Sequence, residues 1–206
     1  MARMQVACTK SSATSRLRDK LKAAALALMA SPTLAADWAL DPATSVVSFG
    51  SIKNDYIGEA HTFSGLEGKV TSDGMATISI DLTSVNTNID IRNERMGEHV
   101  FQGATTADII AEVDMEAFEG LAAGESMTME LVGDLKLLGE EVPVYLDMFV
   151  LRVSDSQVMA STNTATFLST EDLGIDAGID VLQGLANLDS ITRVSPVTMR
   201  FMFNAM

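Results

Sequence analysis

The chain has little of what most catalytic sites are built from. Its 206 residues include one cysteine, two histidines and four prolines, and aromatic side chains make up only 5%. The single cysteine, Cys8, lies in an N-terminal segment that reads as a leader, so the mature part has no thiol. That excludes a disulfide, a thiol nucleophile and a thiolate metal site. His61 and His99 fall in different segments, whereas a catalytic zinc needs about three protein ligands and commonly uses histidine. They read as surface or edge histidines, and no metal site is expected. No serine sits in a Gly-x-Ser-x-Gly elbow. No Gly-Lys-Ser/Thr follows Gly65-Leu66-Glu67-Gly68, so that stretch is no phosphate loop, and its glycines suit turns or bulges in a curved sheet. Carboxylate pairs exist at Glu140-Glu141, Asp172 with Asp176, and Asp114 with Glu116. Among 28 acidic residues, such pairs are what a solvated acidic face supplies, and no catalytic residues are assigned.

Positive charge is also scarce. The net charge is −14. Residues 1–36 carry six of the fourteen basic residues and one acidic residue, so the remainder holds eight basic against 27 acidic residues, a net of −19. Such a surface repels nucleic acid and anionic lipid headgroups, and nucleic-acid binding is set aside. Long apolar runs are missing too. The run Ala23–Ala30 is far shorter than the roughly 20 residues a spanning helix needs. It follows a basic stretch ending at Lys22 and precedes Ser31-Pro32 and the small residues Ala35-Ala36, the order of a secretory signal. The expectation is a cleaved signal peptide over 1–36 and one domain over 37–206, not membrane-spanning and exported to the periplasm or the cell exterior. The stretch before Arg16 is long for a basic leader, which leaves a later start codon open.

The mature part does have a strong period of two. Ala76-Thr77-Ile78-Ser79-Ile80-Asp81-Leu82 alternates strictly, as does Met127-Thr128-Met129-Glu130-Leu131. Val144, Leu146, Met148 and Val150 form one face of a further segment, and Val197, Met199, Phe201 and Phe203 another. Alternation of this kind marks half-buried strands. Turn signals separate the runs at Ser72-Asp73-Gly74, Ala123-Gly124-Glu125, Gly139-Glu140-Glu141 and Ser154-Asp155-Ser156. Eight antiparallel strands follow, near 44–52, 62–71, 75–83, 108–117, 126–137, 142–153, 157–167 and 196–204. Asn88–Phe101 suits a short helix or loop. In Leu173–Ser190 the three- and four-residue spacing of Ile175, Ile179, Leu182, Leu185 and Leu188 suggests a second helix. The fold class is all-β with one or two short helices. Periodicity alone leaves a closed barrel and a two-sheet sandwich both open.

The order of motifs resembles the YceI-like family of bacterial secreted proteins. Trp38–Phe49 is similar to its opening strand. Phe63, Leu66, Gly68 and Val70 are similar to its second segment. Thr83-Ser84-Val85-Asn86-Thr87 followed by Ile91-Arg92-Asn93-Glu94-Arg95-Met96 resembles its most recognisable stretch. Val132–Gly139 with Val142-Pro143-Val144, then Leu173-Gly174-Ile175 and Val197–Phe203, complete the series. The resemblance covers residues 37 to 204. It implies an extended, lipocalin-like, eight-stranded antiparallel barrel in the periplasm, with a polyisoprenoid or isoprenoid quinone in its bore. The chain departs from the family pattern at Thr44, where a histidine is common, at Asn93 in place of an aspartate, and at Ser169–Asp172, where an arginine is expected.

With that resemblance, the alternating faces read as a ligand tube, so that apolar burial of about 0.8 kcal/mol per CH₂ drives uptake. The candidate ligand-binding residues are Phe49, Phe63, Ile78, Ile80, Met129, Leu131, Leu146, Met148, Met199 and Phe201. The competing reading is that these side chains fill a small barrel themselves. Arg92 and Arg95 are candidates for holding a polar headgroup, the alternative being that they pair with carboxylates such as Glu94 or Glu98. The 13 Met suit both a variable ligand and ordinary core filling. The expected function is a binding or carrier protein for a hydrophobic small molecule, with no covalent cofactor and no enzymatic activity. The alternatives are an acidic docking module for a membrane redox partner and an enzyme acting on the bound lipid. A homodimer is compatible with all three.

Overall fold

The computed structural model describes residues 37–206, so the leader read over 1–36 lies outside the described residues. The strands, in chain order, are β1 (Trp38–Leu40), β2 (Val46–Lys53), β3 (Ile57–Phe63), β4 (Leu66–Val70), β5 (Met75–Asp81), β6 (Val85–Asn86), β7 (Thr106–Glu112), β8 (Ser126–Leu137), β9 (Glu140–Ser154), β10 (Gln157–Thr162), β11 (Thr166–Ser169) and β12 (Val194–Ala205). Three short helices accompany them: α1 (Asp90–Arg95), which runs into a π-helical turn at Met96–Val100, α2 (Met115–Glu119) and α3 (Asp176–Leu185).

All strand pairings are antiparallel, and the sheet closes on itself. The path β1-β4-β5-β7-β8-β9-β10-β12 returns to β1, which makes a barrel of eight strands. Two of the eight positions are shared between segments. β1 and β2 both lie against β12, β1 along Phe203–Ala205 and β2 along Val197–Arg200. β3 and β4 are halves of one long strand kinked at Ser64-Gly65, the first pairing β2 and the second β1 and β5. At the kink, a Cβ on Gly65 would stand 2.8 Å from the Asp81 Cβ, so no larger residue fits without displacing β5.

The eight strands read from periodicity correspond one to one with these eight positions. The details differ for local reasons. The second strand starts at Ile57 rather than 62, because Asn54 and Asp55 take left-handed φ of 51° and 66° and turn the chain early. The strand read over 108–117 ends at Glu112, since the Asp114 carboxylate accepts from the Ala117 N–H at 3.0 Å and caps α2. The strand read over 157–167 breaks after Thr162, where Asn163 bonds Asp147 through both its backbone and its side chain, and resumes as β11. The hairpin turn is Leu138-Gly139, with φ of 54° and 89°, rather than Gly139-Glu140-Glu141. Two positive φ values in a two-residue turn match the right-handed twist of the strands it joins. Three helices are present where one or two were expected.

Odd positions of β8 and even positions of β9 point inward. Met129 pairs across to Met148 and Leu131 to Leu146, while Thr128, Glu130 and Tyr145 face out. The same rule places Ile78 beside Ile109 and Val47 beside Phe63 inside the barrel. The bore thus comes directly from the two-residue period. The helices sit at its ends. α2 brings Met115 and Phe118 over one end, called upper here, and Phe118 meets Trp38 edge-on at 5.5 Å. α3 packs on the π-turn at the other end, and Ile175 and Ile179 reach the interior.

The contact between α3 and the π-turn needs Gly178. A Cβ there would lie 2.3 Å from the His99 carbonyl oxygen and 2.6 Å from the Val100 Cα, both backbone atoms. Gly178→Ala should therefore lower stability by about 1–3 kcal/mol, as overpacking typically does. Gly184→Ala, in the same helix with nothing within 4 Å, should raise it by about 0.5–1 kcal/mol through helix propensity. Urea midpoints of the two variants moving in the same direction would contradict this packing.

Candidate ligand-binding site

The barrel interior is not filled by its own side chains. Two chambers lie end to end, enclosing about 800 Å³ and about 1020 Å³ of space free of protein atoms, part of it open to solvent. Ile109 and Met199 line both chambers and form the waist between them. Along β12 the lining runs from Ser195 to Phe203, a rise of roughly 27 Å at strand geometry.

The upper chamber has 19 lining residues, all apolar. Among them are Ile78, Met129, Leu131, Leu146, Met148 and Phe201. Phe49, Phe63 and Ile80 line the lower chamber, and Met199 stands at the waist. The ten apolar residues singled out from the sequence thus all border one bore. Gly133, buried on β8, lets that strand lie close to β7: a Cβ there would stand 3.1 Å from the Ile110 carbonyl oxygen.

The two arginines are placed differently. Neither lines a chamber. Arg92 Nη1 donates to Glu59 Oε2 at 2.7 Å and Nη2 to the Thr87 carbonyl at 2.5 Å. Its carboxylate partner comes from β3, not from Glu94 or Glu98. Arg95 makes no ion pair among the described residues. Glu59 also takes Lys53 Nζ at 3.0 Å. Burial alone would raise the Glu59 carboxyl, but the hydrogen bonds and charges of Lys53 and Arg92 outweigh it and hold it below its ordinary range.

Sequence reading missed the neighbours of that triad. His61 stands on β3 between Phe63 and Glu59, paired across to Phe49, and only 4% of it is exposed. It is a buried residue, not the surface or edge histidine expected. Its Nε2 lies 3.0 Å from Ser51 Oγ, and Ser51 lines the lower chamber. Burial pushes the imidazole below its ordinary value; Arg92 and Lys53 act the same way, against the pull of Glu59. The alternation of Val47, Phe49, Ser51 and Lys53 was the available signal. It was obscured because the second strand was begun too late to bring His61 beside Phe49.

The three departures from the expected pattern have local roles. Thr44 Oγ1 donates to Asp41 Oδ2 at 2.8 Å in an exposed turn. Asn93 Oδ1 accepts from Thr87 N at 2.8 Å and Thr87 Oγ1 at 2.6 Å. In the Ser169–Asp172 stretch, Thr170 bonds Asp176 and the Arg193 carbonyl. The arginine that serves α3 there is Arg193, which donates to the Asp176 carbonyl at 3.1 Å and to Asp180 at 2.5 Å. Among the described residues no group of three or more His, Cys, Asp or Glu is placed to hold a metal ion, and no helix is long and apolar enough to cross a membrane.

The fold and its bore can now be set beside known proteins. The model of the YceI-like domain matches residues 38–199. The chain belongs to the YceI-like family. This YceI-like protein also resembles solved structures. One is a polyisoprenoid binding domain from Saccharophagus degradans implicated in plant cell wall breakdown, with a TM-score of 0.80 and 34% identity, covering 84% of this chain and 99% of that one. Another is BcnA of Burkholderia cenocepacia, with a TM-score of 0.61 and 14% identity over 79% of this chain and 98% of that one, a likeness of fold. No curated protein matches.

The buried imidazole makes stability depend on pH. Between the depressed folded value of His61 and the ordinary value of 6.5, the unfolded chain binds a proton that the folded one does not. Stability is therefore lost as pH falls below about 6.5. Glu59 adds a further loss at lower pH, as its carboxylate is protonated below the ordinary value of 4.5. Urea midpoints of the protein should fall from pH 7 to pH 5, and His61→Asn should flatten that slope. An equal slope in the variant would exclude His61 as its source.

Proposed function

We propose that this protein is an exported, periplasmic binding protein that carries a long isoprenoid lipid or isoprenoid quinone in its barrel. The observation that carries this reading is the bore itself: two apolar chambers in line, joined at a waist and not filled by the protein's own side chains. Such a tube suits one long thin ligand better than a compact one. Each buried CH₂ contributes about 0.8 kcal/mol, so an isoprene unit of five carbons contributes about 4 kcal/mol. Several units exceed the cost of ordering ligand and side chains on binding. The methionines at the wall, Met129, Met148 and Met199, add adaptability, because an unbranched thioether chain fits irregular and branched surfaces. The polyisoprenoid-binding neighbour of 34% identity supports the same ligand class, and the signal-like residues 1–36 support export.

The chemistry of the walls supports binding rather than turnover. No carboxylate lines either chamber, and the hydroxyls that reach the lower one, Ser51, Thr170, Thr192 and Ser195, are all hydrogen-bonded within the protein. Lys53, Glu59 and Arg92, beside the β2–β3 hairpin, are engaged with one another.

Native mass spectrometry of gently purified protein should reveal a co-purifying hydrophobic molecule that organic solvent extracts. Met199→Trp should narrow the waist and shorten the longest prenyl chain retained, while short chains still bind. A protein that is empty as isolated and ignores added long-chain isoprenoids would refute the reading.

A further inference from the structure

The two ends of the bore differ in polarity. The upper chamber presents apolar residues only, whereas Ser51, Thr170, Thr192 and Ser195 reach the lower one. Three of those hydroxyls are occupied within the protein. Thr170 bonds Asp176 and the Arg193 carbonyl, Thr192 donates to the Val194 carbonyl at 3.1 Å, and Ser195 donates to the Gly50 carbonyl at 2.8 Å. Ser51 is different. Its side-chain partner is His61 Nε2, and the other nitrogen of that ring, Nδ1, is buried with no partner. A buried nitrogen left unpaired costs free energy until something supplies a partner.

The pair leaves a donor over in either tautomer. If Nε2 accepts from Ser51, the proton sits on Nδ1 and that N–H is spare. If Nε2 donates to Ser51, the serine O–H is spare and can turn into the chamber it lines. Towards the chamber, the first state leaves the Ser51 oxygen free to accept from a ligand hydroxyl, and the second leaves its O–H free to donate to a ligand oxygen. The flanking cations already hold an anion: Lys53 and Arg92 both bond Glu59 and Arg92 also bonds the Thr87 carbonyl, while the remaining Arg92 Nε, buried without a partner, belongs to a side chain that lines neither chamber. Burial keeps the imidazole neutral as well.

We infer that Ser51, held from behind by the buried His61, which itself lines neither chamber, is the headgroup subsite of the bore, taking the neutral carbonyl or hydroxyl oxygen of a prenylated ligand whose tail runs past Met199 into the upper chamber. The inference rests on the lipid-binding reading above and gives it a direction. Glu59 and Arg92 act as positioning residues beside the pair. The upper end has its own buried unpaired nitrogen, Arg152 Nε. That guanidinium lies 5.5 Å over the Phe118 ring and donates to the Leu121 carbonyl at 3.1 Å, and Arg152 lines neither chamber.

The test uses purified protein freed of lipid and four probes of one tail length, all delivered from the same detergent micelles: a prenylated benzoquinone, a prenyl alcohol, a prenyl diphosphate and the headless hydrocarbon. The quinone or the alcohol should bind about five- to tenfold tighter than the hydrocarbon, the scale of one hydrogen bond. The stronger of the two identifies the oxygen. Ser51→Ala and His61→Phe should each remove most of that difference and leave hydrocarbon affinity within about twofold, since neither change touches the upper chamber. Arg152→Met should preserve the difference. The inference is overturned if wild-type protein does not discriminate, if discrimination survives both Ser51→Ala and His61→Phe, if it is lost with Arg152→Met, or if the diphosphate binds tightest. Should His61→Phe fail to fold, as judged by its circular dichroism melt, Ser51→Ala decides alone. If none of the four binds, hydrocarbon included, the lipid-binding reading itself fails, an outcome distinct from loss of head selection alone.

Discussion

Closure of the sheet along β12 is the constraint on which the rest of this molecule depends. That strand pairs with β10 on one side, and on the other with β1 near its end and β2 near its start. β1 is only three residues long, yet it alone joins β12 to β4. Without it the upper part of the sheet would have two open edges, each a row of unpaired backbone groups. With it, eight strands form a ring whose girth is set by strand number and stagger rather than by side-chain volume. The interior is therefore as wide as the ring makes it and is filled only as far as its inward side chains reach, and here they leave space.

That rigidity turns an apolar face into a binding surface. In a sandwich, the face carrying Ile78, Leu146, Met148 and Phe201 would be covered by a second sheet. Around a ring it faces its own far wall, and a void remains on either side of Ile109 and Met199. The driving force for filling the void is removal of apolar surface from water, which has no direction. Orientation must come from polar groups, and these gather at the lower end, where the β2–β3 hairpin brings Ser51, His61, Lys53 and Glu59 to one face.

The charge economy of the chain fits this division. Acidic residues dominate the outside, on alternate positions of strands whose other positions are apolar. Four of the eight lysines and arginines among the described residues pair with specific carboxylates: Lys53 and Arg92 with Glu59, Lys136 with Glu141, and Arg193 with Asp176 and Asp180. Exposed pairs of this kind contribute little stability individually. Those near the bore matter more for where they hold the backbone, since Glu59 and Arg92 fix α1 against β3 beside the lower opening.

What the residues alone determined was the eight long strands and the side of each that faces in, but not the short β1, β6 and β11. A two-residue period is a local property, visible in a strand such as Met75–Asp81 without knowing its partner, and so the ten apolar lining residues could be named in advance. Local chemistry also marked the helices, apart from α2, whose cap at Asp114 follows an apolar strand too closely to interrupt its pattern. Which strands meet across 167 residues of chain, as Trp38 and Ala205 do, is not a local property, and that pairing decided between barrel and sandwich. The same holds for the polar end. His61 acquires its meaning only when β2 lies beside β3 and sets it against Ser51, and Arg92 finds Glu59 rather than its own helix neighbours because folding brings a strand closer than the next helical turn.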